Sequence, residues 1–157
     1  MSPSIEELVS LAHGTHHNPH QILGVHETDK GWVFRALRPF ADSVVMEQKR
    51  SKKPLTHVAS GVWELEGKGK LPGDYRIRAT YENAPEWIAA DPYCHTPTIG
   101  ELDLYLITEG RHEMLWEALG AHYSEQSDSI GDTSGVAFSV WAPNATAVRV
   151  VGDFNGW

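Results

Sequence analysis

Residues 31–46 read GWVFRALRPFADSVVM, and residues 135–150 read GVAFSVWAPNATAVRV. Aligned without gaps, five of the 16 positions are identical: Gly31/Gly135, Phe34/Phe138, Pro39/Pro143, Ala41/Ala145 and Val44/Val148. A second echo precedes each copy. His20-Gln21-Ile22-Leu23-Gly24-Val25-His26 and Trp116-Glu117-Ala118-Leu119-Gly120-Ala121-His122 share Leu, Gly and His. A helix end, a loop and a strand pair therefore recur in the same order, which predicts two related modules in tandem. The first copy is followed by enough chain to complete a module. The second runs only to Trp157 and is expected to be the incomplete opening of one, with exposed edges prone to self-association through the unpaired strands of residues 135–157.

Working outward from the first copy, Trp32, Phe34 and Ala36 alternate with Val33, Arg35 and Leu37, the period of a strand, and Pro39 closes it. Further strands are expected at Val44–Glu47, Leu55–Val58, Val62–Glu66, Tyr75–Ala79 and Trp87–Ala89, with Leu102–Ile107 as the last. Gly61, Gly67, Gly69, Pro72-Gly73, Asn83 and Asp91-Pro92 punctuate them. Short, evenly spaced strands of this kind predict an all-β, immunoglobulin-like β-sandwich with short flanking helices. Before it, Ser4-Ile5-Glu6-Glu7 fits a capping box opening a helix with Ile5, Leu8, Val9 and Ala12 on one face. Asn18-Pro19 should open a second, shorter helix that turns Ile22 and Leu23 inward. Glu109–Leu119 reads as a helix, the polar residues 124–134 as a linker or mobile loop, and Val136–Trp141 with Ala147–Val151 as the repeated strand pair. The expected divisions are an N-terminal helix (1–17), a first sandwich module (18–108), a helix and linker (109–134) and the start of a second module (135–157).

Composition narrows the function. Thirteen basic against 21 acidic residues give a formal charge of −8, which argues against a nucleic-acid backbone as partner and fits a neutral ligand or a protein surface. No apolar run suggests a membrane span, and Glu6 and Glu7 stand where an export signal carries positive charge. The single cysteine, Cys94, fits a reducing, cytoplasmic setting and reads as a small, partly buried residue. His13, His16 and His17 have the spacing of helical metal ligands, but Gly14 interrupts the helix and no second ligand group accompanies them, so no metal and no cofactor is expected. Lys49-Arg50-Ser51-Lys52-Lys53 reads as a solvated hairpin or an edge-strand guard. Asp91, before Pro92, reads as a turn residue capping its own backbone. Of the six tryptophans, Trp32, Trp63 and Trp141 are expected in or near the core, and Trp116 as a packing anchor.

The second copy, continued through Val151-Gly-Asp-Phe-Asn-Gly-Trp157, resembles the start of the family 48 carbohydrate-binding module found before the catalytic barrel of α-glucan enzymes. Asn18-Pro19-His20, Leu23-Gly24, Arg38-Pro39, Gly61-Val62-Trp63-Glu64, Leu71-Pro72-Gly73-Asp74-Tyr75-Arg76 and Asp91-Pro92-Tyr93 resemble the extra N-terminal domain of bacterial 1,4-α-glucan branching enzymes. This resemblance implies a non-catalytic N-terminal region that helps to position an α-glucan (glycogen- or amylopectin-like) chain and braces a barrel of the glycoside hydrolase family 13 type. In that family a retaining mechanism moves an α-1,4 segment to an α-1,6 branch point. The barrel needs about 250 residues, so no catalytic residue is assigned here. It also implies carbohydrate binding at Trp157, with Asn155 beside it, and at Trp87. A purely structural module with no sugar binding, and the N-terminal module of a debranching, isoamylase-type enzyme, are the alternatives.

Overall fold

The computed structural model describes residues 2–128, 131–153 and 156. Two units cluster within the chain, 1–96 with 127–132, and 97–126 with 133–157.

The first unit begins with α1 (Ile5–Ala12), opened by the expected capping box: Ser4 Oγ accepts from the Glu7 amide and the Glu7 carboxylate accepts from the Ser4 amide. Its buried residues are Leu8 and Leu11, so the helix is rotated from the expected face and Ile5 points to solvent. Asn18-Pro19 opens a single 3-10 turn, Pro19–Gln21, and the Asn18 side chain makes no cap. Ile22 and Leu23 are buried as expected.

Eight strands follow: β1 (Gly24–Thr28), β2 (Gly31–Leu37), β3 (Ser43–Gln48), β4 (Ser51–Pro54), β5 (Thr56–Ala59), β6 (Val62–Gly67), β7 (Arg76–Tyr81) and β8 (Ala84–Ala90). They make two antiparallel sheets, ordered β1-β2-β6-β5 and β4-β3-β7-β8. Each hairpin stays in one sheet, and the chain crosses to the other between β2 and β3, between β4 and β5 through Leu55 alone, and between β6 and β7, giving the immunoglobulin-like sandwich that the strand spacing predicts. Between the sheets lie Trp32, Phe34, Ala36, Val44, Met46, Trp63, Tyr75 and Ile77. The other face of the first sheet is covered as well: Leu8, Leu11, Ile22 and Leu23 pack on Val62 and Leu37. This second layer explains why Val33 through Ala36 are all buried although the sequence alternates. Arg35 survives burial on that face by donating to Glu64 at 2.6 Å. Trp32 and Trp63 are core residues, as expected.

The Lys-rich run forms the β3–β4 hairpin, whose second strand is an edge. Met46 lies opposite Lys53, so Lys53 points toward the core side, and its Nζ sits 5.4 Å from the Trp32 ring centroid. An inward lysine on an edge strand blocks further pairing.

The chain after residue 96 departs further from expectation. Residues 102–107, read as the last strand, lie in α2 (Glu101–Thr108). The Asp103 carboxylate accepts from the Gly100 amide at 3.3 Å, which starts a helix, and Glu and Leu continue it well. The apolar alternation of Leu102, Leu104 and Leu106 therefore never meets a sheet. The helix expected at 109–119 shrinks to α3 (Leu115–Ala118), with Trp116 exposed. Residues 124–128 and 131–134 are not a loop: they lie in β9 (Gly120–Asp128) and β10 (Gly131–Ser139), which form a two-stranded sheet. Polar cross-strand bonds hold it, Ser127 Oγ donating to Asp132 Oδ1 at 2.6 Å and Thr133 Oγ1 to the Gln126 carbonyl at 3.4 Å. Ala147–Val151 is not a strand, and Trp141 is 60 % exposed rather than core.

The repeat is structural at its corner. His26 Nε2 meets the Leu23 carbonyl at 3.0 Å, and His122 Nε2 meets the Leu119 carbonyl at 2.9 Å. The intervening glycines have φ of 90° (Gly24) and 108° (Gly120), where a side chain is strained, and each opens a strand.

Candidate functional site

Trp87 sits on β8, an edge of the second sheet, directly opposite Ala79 on β7. Ala79 is a core residue, so the indole starts from the inner side of the sheet. Among the described residues no strand lies beyond β8 to cover it, and 39 % of Trp87 remains exposed. The Arg38 guanidinium lies over the ring, 4.2 Å from its centroid. That stack holds one indole face and orients the other.

Arg38 is itself fixed by its backbone. Its amide donates to the Gly61 carbonyl at 2.7 Å, and its carbonyl accepts from Trp63 Nε1 at 3.1 Å. Nη1 donates to the Leu37 carbonyl at 2.6 Å, and the buried Nε–H has no partner among the described residues. Burial lowers the Arg38 pKa from its ordinary value, and Tyr81, Asp91 and Tyr93 oppose the shift. A guanidinium remains charged nonetheless.

Behind Arg38 lies a polar knot centred on Asp91, only 2 % exposed. The Asp91 carboxylate accepts from Tyr75 Oη at 2.6 Å and from the Tyr93 amide at 3.0 Å, so it caps its own turn as the sequence predicts and also anchors a core tyrosine. The Asp91 carbonyl accepts from Cys94 Sγ at 2.8 Å, and the cysteine is half-buried. Tyr93 contacts His20 edge to face at 5.0 Å. Burial raises the Tyr93 pKa, helped by Asp91 and opposed by Arg38. Burial lowers the His20 pKa, with Asp91 opposing and His26 assisting. These groups satisfy one another and brace the turn after β8.

The opposite face of the same sheet carries an ion network. Arg78 bonds Glu47 at 2.6 Å and also pairs with Glu86, while Lys52 reaches Glu47 at 3.4 Å. Those bonds lower the Glu47 pKa and raise that of Arg78. Arg78 and Glu47 are partly exposed and Lys52 and Glu86 exposed, so the network is a solvated face. Among the described residues no group of His, Cys, Asp and Glu is arranged to hold a metal.

Trp157 and Asn155, the other two sequence-predicted site residues, lie outside the described residues. The structure thus places Trp87 alone. Sequence reasoning missed Arg38, which read as no more than the end of a strand.

Comparison with known proteins adds the family. Residues 4–93 match the model described as alpha-1,4-glucan branching enzyme GlgB, N-terminal domain. The chain belongs to this family. Within this GlgB N-terminal family chain, residues 118–157 also match carbohydrate-binding module 48, described as the isoamylase N-terminal domain. Relatives named 1,4-alpha-glucan branching enzyme GlgB include those of Thermobifida fusca (49 % identical over 98 % of this chain) and Mycobacterium tuberculosis (47 % over 100 %). That of Rhodococcus jostii is 45 % identical over 100 %. The chain spans 21 % to 22 % of the length of these relatives.

Proposed function

We propose that this chain serves as the non-catalytic N-terminal region of a cytoplasmic 1,4-α-glucan branching enzyme, holding an α-glucan segment and bracing a barrel carried elsewhere in the parent. The observation that carries the reading is the identity of 45 % to 49 %, across essentially the whole chain, with proteins named as branching enzymes. Trp87 is the proposed platform on the first sandwich. Arg38 occupies one indole face at 4.2 Å, and a pyranose ring would pack its C–H groups on the other. Trp157 and Asn155 are the proposed sugar contacts of the second segment. The repeated Leu-Gly-x-His corner supports opening that segment near Leu119. The exposed Val136 and Phe138 on a two-stranded sheet support its pairing with further strands or with a second copy.

Affinity electrophoresis tests the proposal. The chain should be retarded in gels containing glycogen, and Trp87→Ala should migrate faster in the same gels. Equal mobility with and without glycogen would reject glucan binding. A purely structural role is favoured by one observation, the guanidinium already covering a Trp87 face. It predicts no retardation, and a loss of thermal stability when residues 1–157 are removed from the parent.

A further inference from the structure

We infer that the open cleft beside the Arg38–Trp87 stack is a second α-glucan subsite, with Phe40 as its outer wall. The inference rests on the glucan-holding reading above.

The cleft measures about 850 Å³ and is walled by Arg38, Phe40, Asp42, His57, Ser60 and Trp63 among others. That volume falls within the range of about 300–1,000 Å³ usual for small-molecule sites. Two turns make its rim, one joining β2 to β3 and the other β5 to β6. Each holds a non-glycine residue at positive φ, Phe40 at 63° and Ser60 at 51°, and no other described non-glycine residue adopts such a value. Conformations of this kind persist only where the surroundings over-determine them, and they cluster at binding sites. Here the surroundings are visible. The Arg38 amide bonds the Gly61 carbonyl at 2.7 Å, and the Gly61 amide bonds His57 Nε2 at 3.3 Å. Gly61 is pressed so closely on Pro39 that a Cβ there would lie 2.7 Å from the Pro39 Cα. The two turns are locked together, and the lock holds Phe40 out with 95 % of its surface exposed, where it adds nothing to the core.

The chemistry of the walls selects the ligand. Four aromatic rings line the cleft, those of His13, Phe40, His57 and Trp63, and His57 and Trp63 already meet edge to face at 5.1 Å. Between them stand polar groups: the exposed Asp42 carboxylate and Ser60 hydroxyl, with the Arg38 guanidinium beside them. Donors and acceptors are mixed, and the charges of Arg38 and Asp42 are opposite. Such a wall suits a neutral, polyhydroxylated ring better than an anion. Arg38 belongs to both places, lining the cleft and stacking on Trp87, so the two proposed subsites share one residue.

The test is a titration of the isotopically labelled chain with maltoheptaose, followed by amide and indole resonances, with sorbitol as control. Maltoheptaose should shift Phe40, Ser60, Gly61 and the Trp63 indole, and sorbitol should not. Phe40→Gly, which keeps the turn's backbone, should weaken binding about tenfold, as expected for one lost aromatic face. Shifts at Trp87 with none in the cleft would overturn this subsite and leave the glucan reading standing, as would unchanged affinity in Phe40→Gly. No shift anywhere, with no retardation by glycogen, would overturn both. Burial of a Phe40→Cys thiol from maleimide in the full-length parent, independent of maltoheptaose, would assign the cleft to a protein contact instead.

Discussion

Phe40 shows how a single residue can be held against its own preference. An aromatic side chain at φ 63° costs on the order of 1–3 kcal/mol, and full exposure returns none of it as core packing. Phe40→Gly should therefore stabilise the fold by about 1 kcal/mol, read as a higher midpoint in urea. A lower midpoint would mean that the ring makes a stabilising contact after all. His20 supplies a second test at this scale. Its folded pKa lies below the ordinary 6.5 because burial disfavours the charged ring. The unfolded chain thus takes the proton first. His20's contribution to stability is complete above pH 6.5 and is lost as the pH falls toward the folded value. Urea midpoints should drop between pH 7.5 and 5.5, and His20→Gln should flatten that slope. Identical slopes would place the pH response elsewhere. Trp87 was legible in the sequence as an aromatic on a strand. Its partner Arg38 was not, because a guanidinium that closes over an indole from another strand leaves no local pattern.

At the level of elements, local chemistry and tertiary context divide the outcome. The Ser4–Glu7 capping box, the Asp91 turn and the strand β2 follow from residues close in sequence, and the structure contains all three. Leu102–Ile107 went the other way. Its alternation mimics a strand, but an N-terminal cap and good helix formers turned it into α2. The polar stretch of β9 and β10 lacked an apolar face, so its pairing, held by hydroxyl and carboxylate contacts, gave no periodic signal. The corner shared by Leu23-Gly24-Val25-His26 and Leu119-Gly120-Ala121-His122 is built in the same way twice. In Gly24→Ala the new Cβ would lie 2.7 Å from the Tyr93 carbonyl oxygen at φ 90°, so a loss of about 2–3 kcal/mol is expected in denaturant titrations. A loss under 0.5 kcal/mol would show that the backbone there relaxes freely. On the edge strand β4, Lys53→Val should promote concentration-dependent association by sedimentation, since the inward charge is its guard against further pairing.

Across the whole molecule, charge and aromatic placement govern what it can hold. A chain of net charge −8 that binds a neutral glucan should do so with an affinity nearly independent of salt between about 50 and 500 mM. A steep loss of glycogen retardation with salt would point to an ionic partner instead. Sequence alone determined that the first unit is a β-sandwich and that its strand-opening corner recurs, because alternation, turn residues and a duplicated motif are written in neighbouring positions. It also determined the family resemblance, through short motifs spread over most of the length. Tertiary structure alone decided that α1 covers the far face of the first sheet, that Arg38 stacks on Trp87, and that two turns lock to hold Phe40 in solvent. Each of those joins residues distant in the chain. Their energies come from packing and hydrogen bonds that exist only once both sheets have closed.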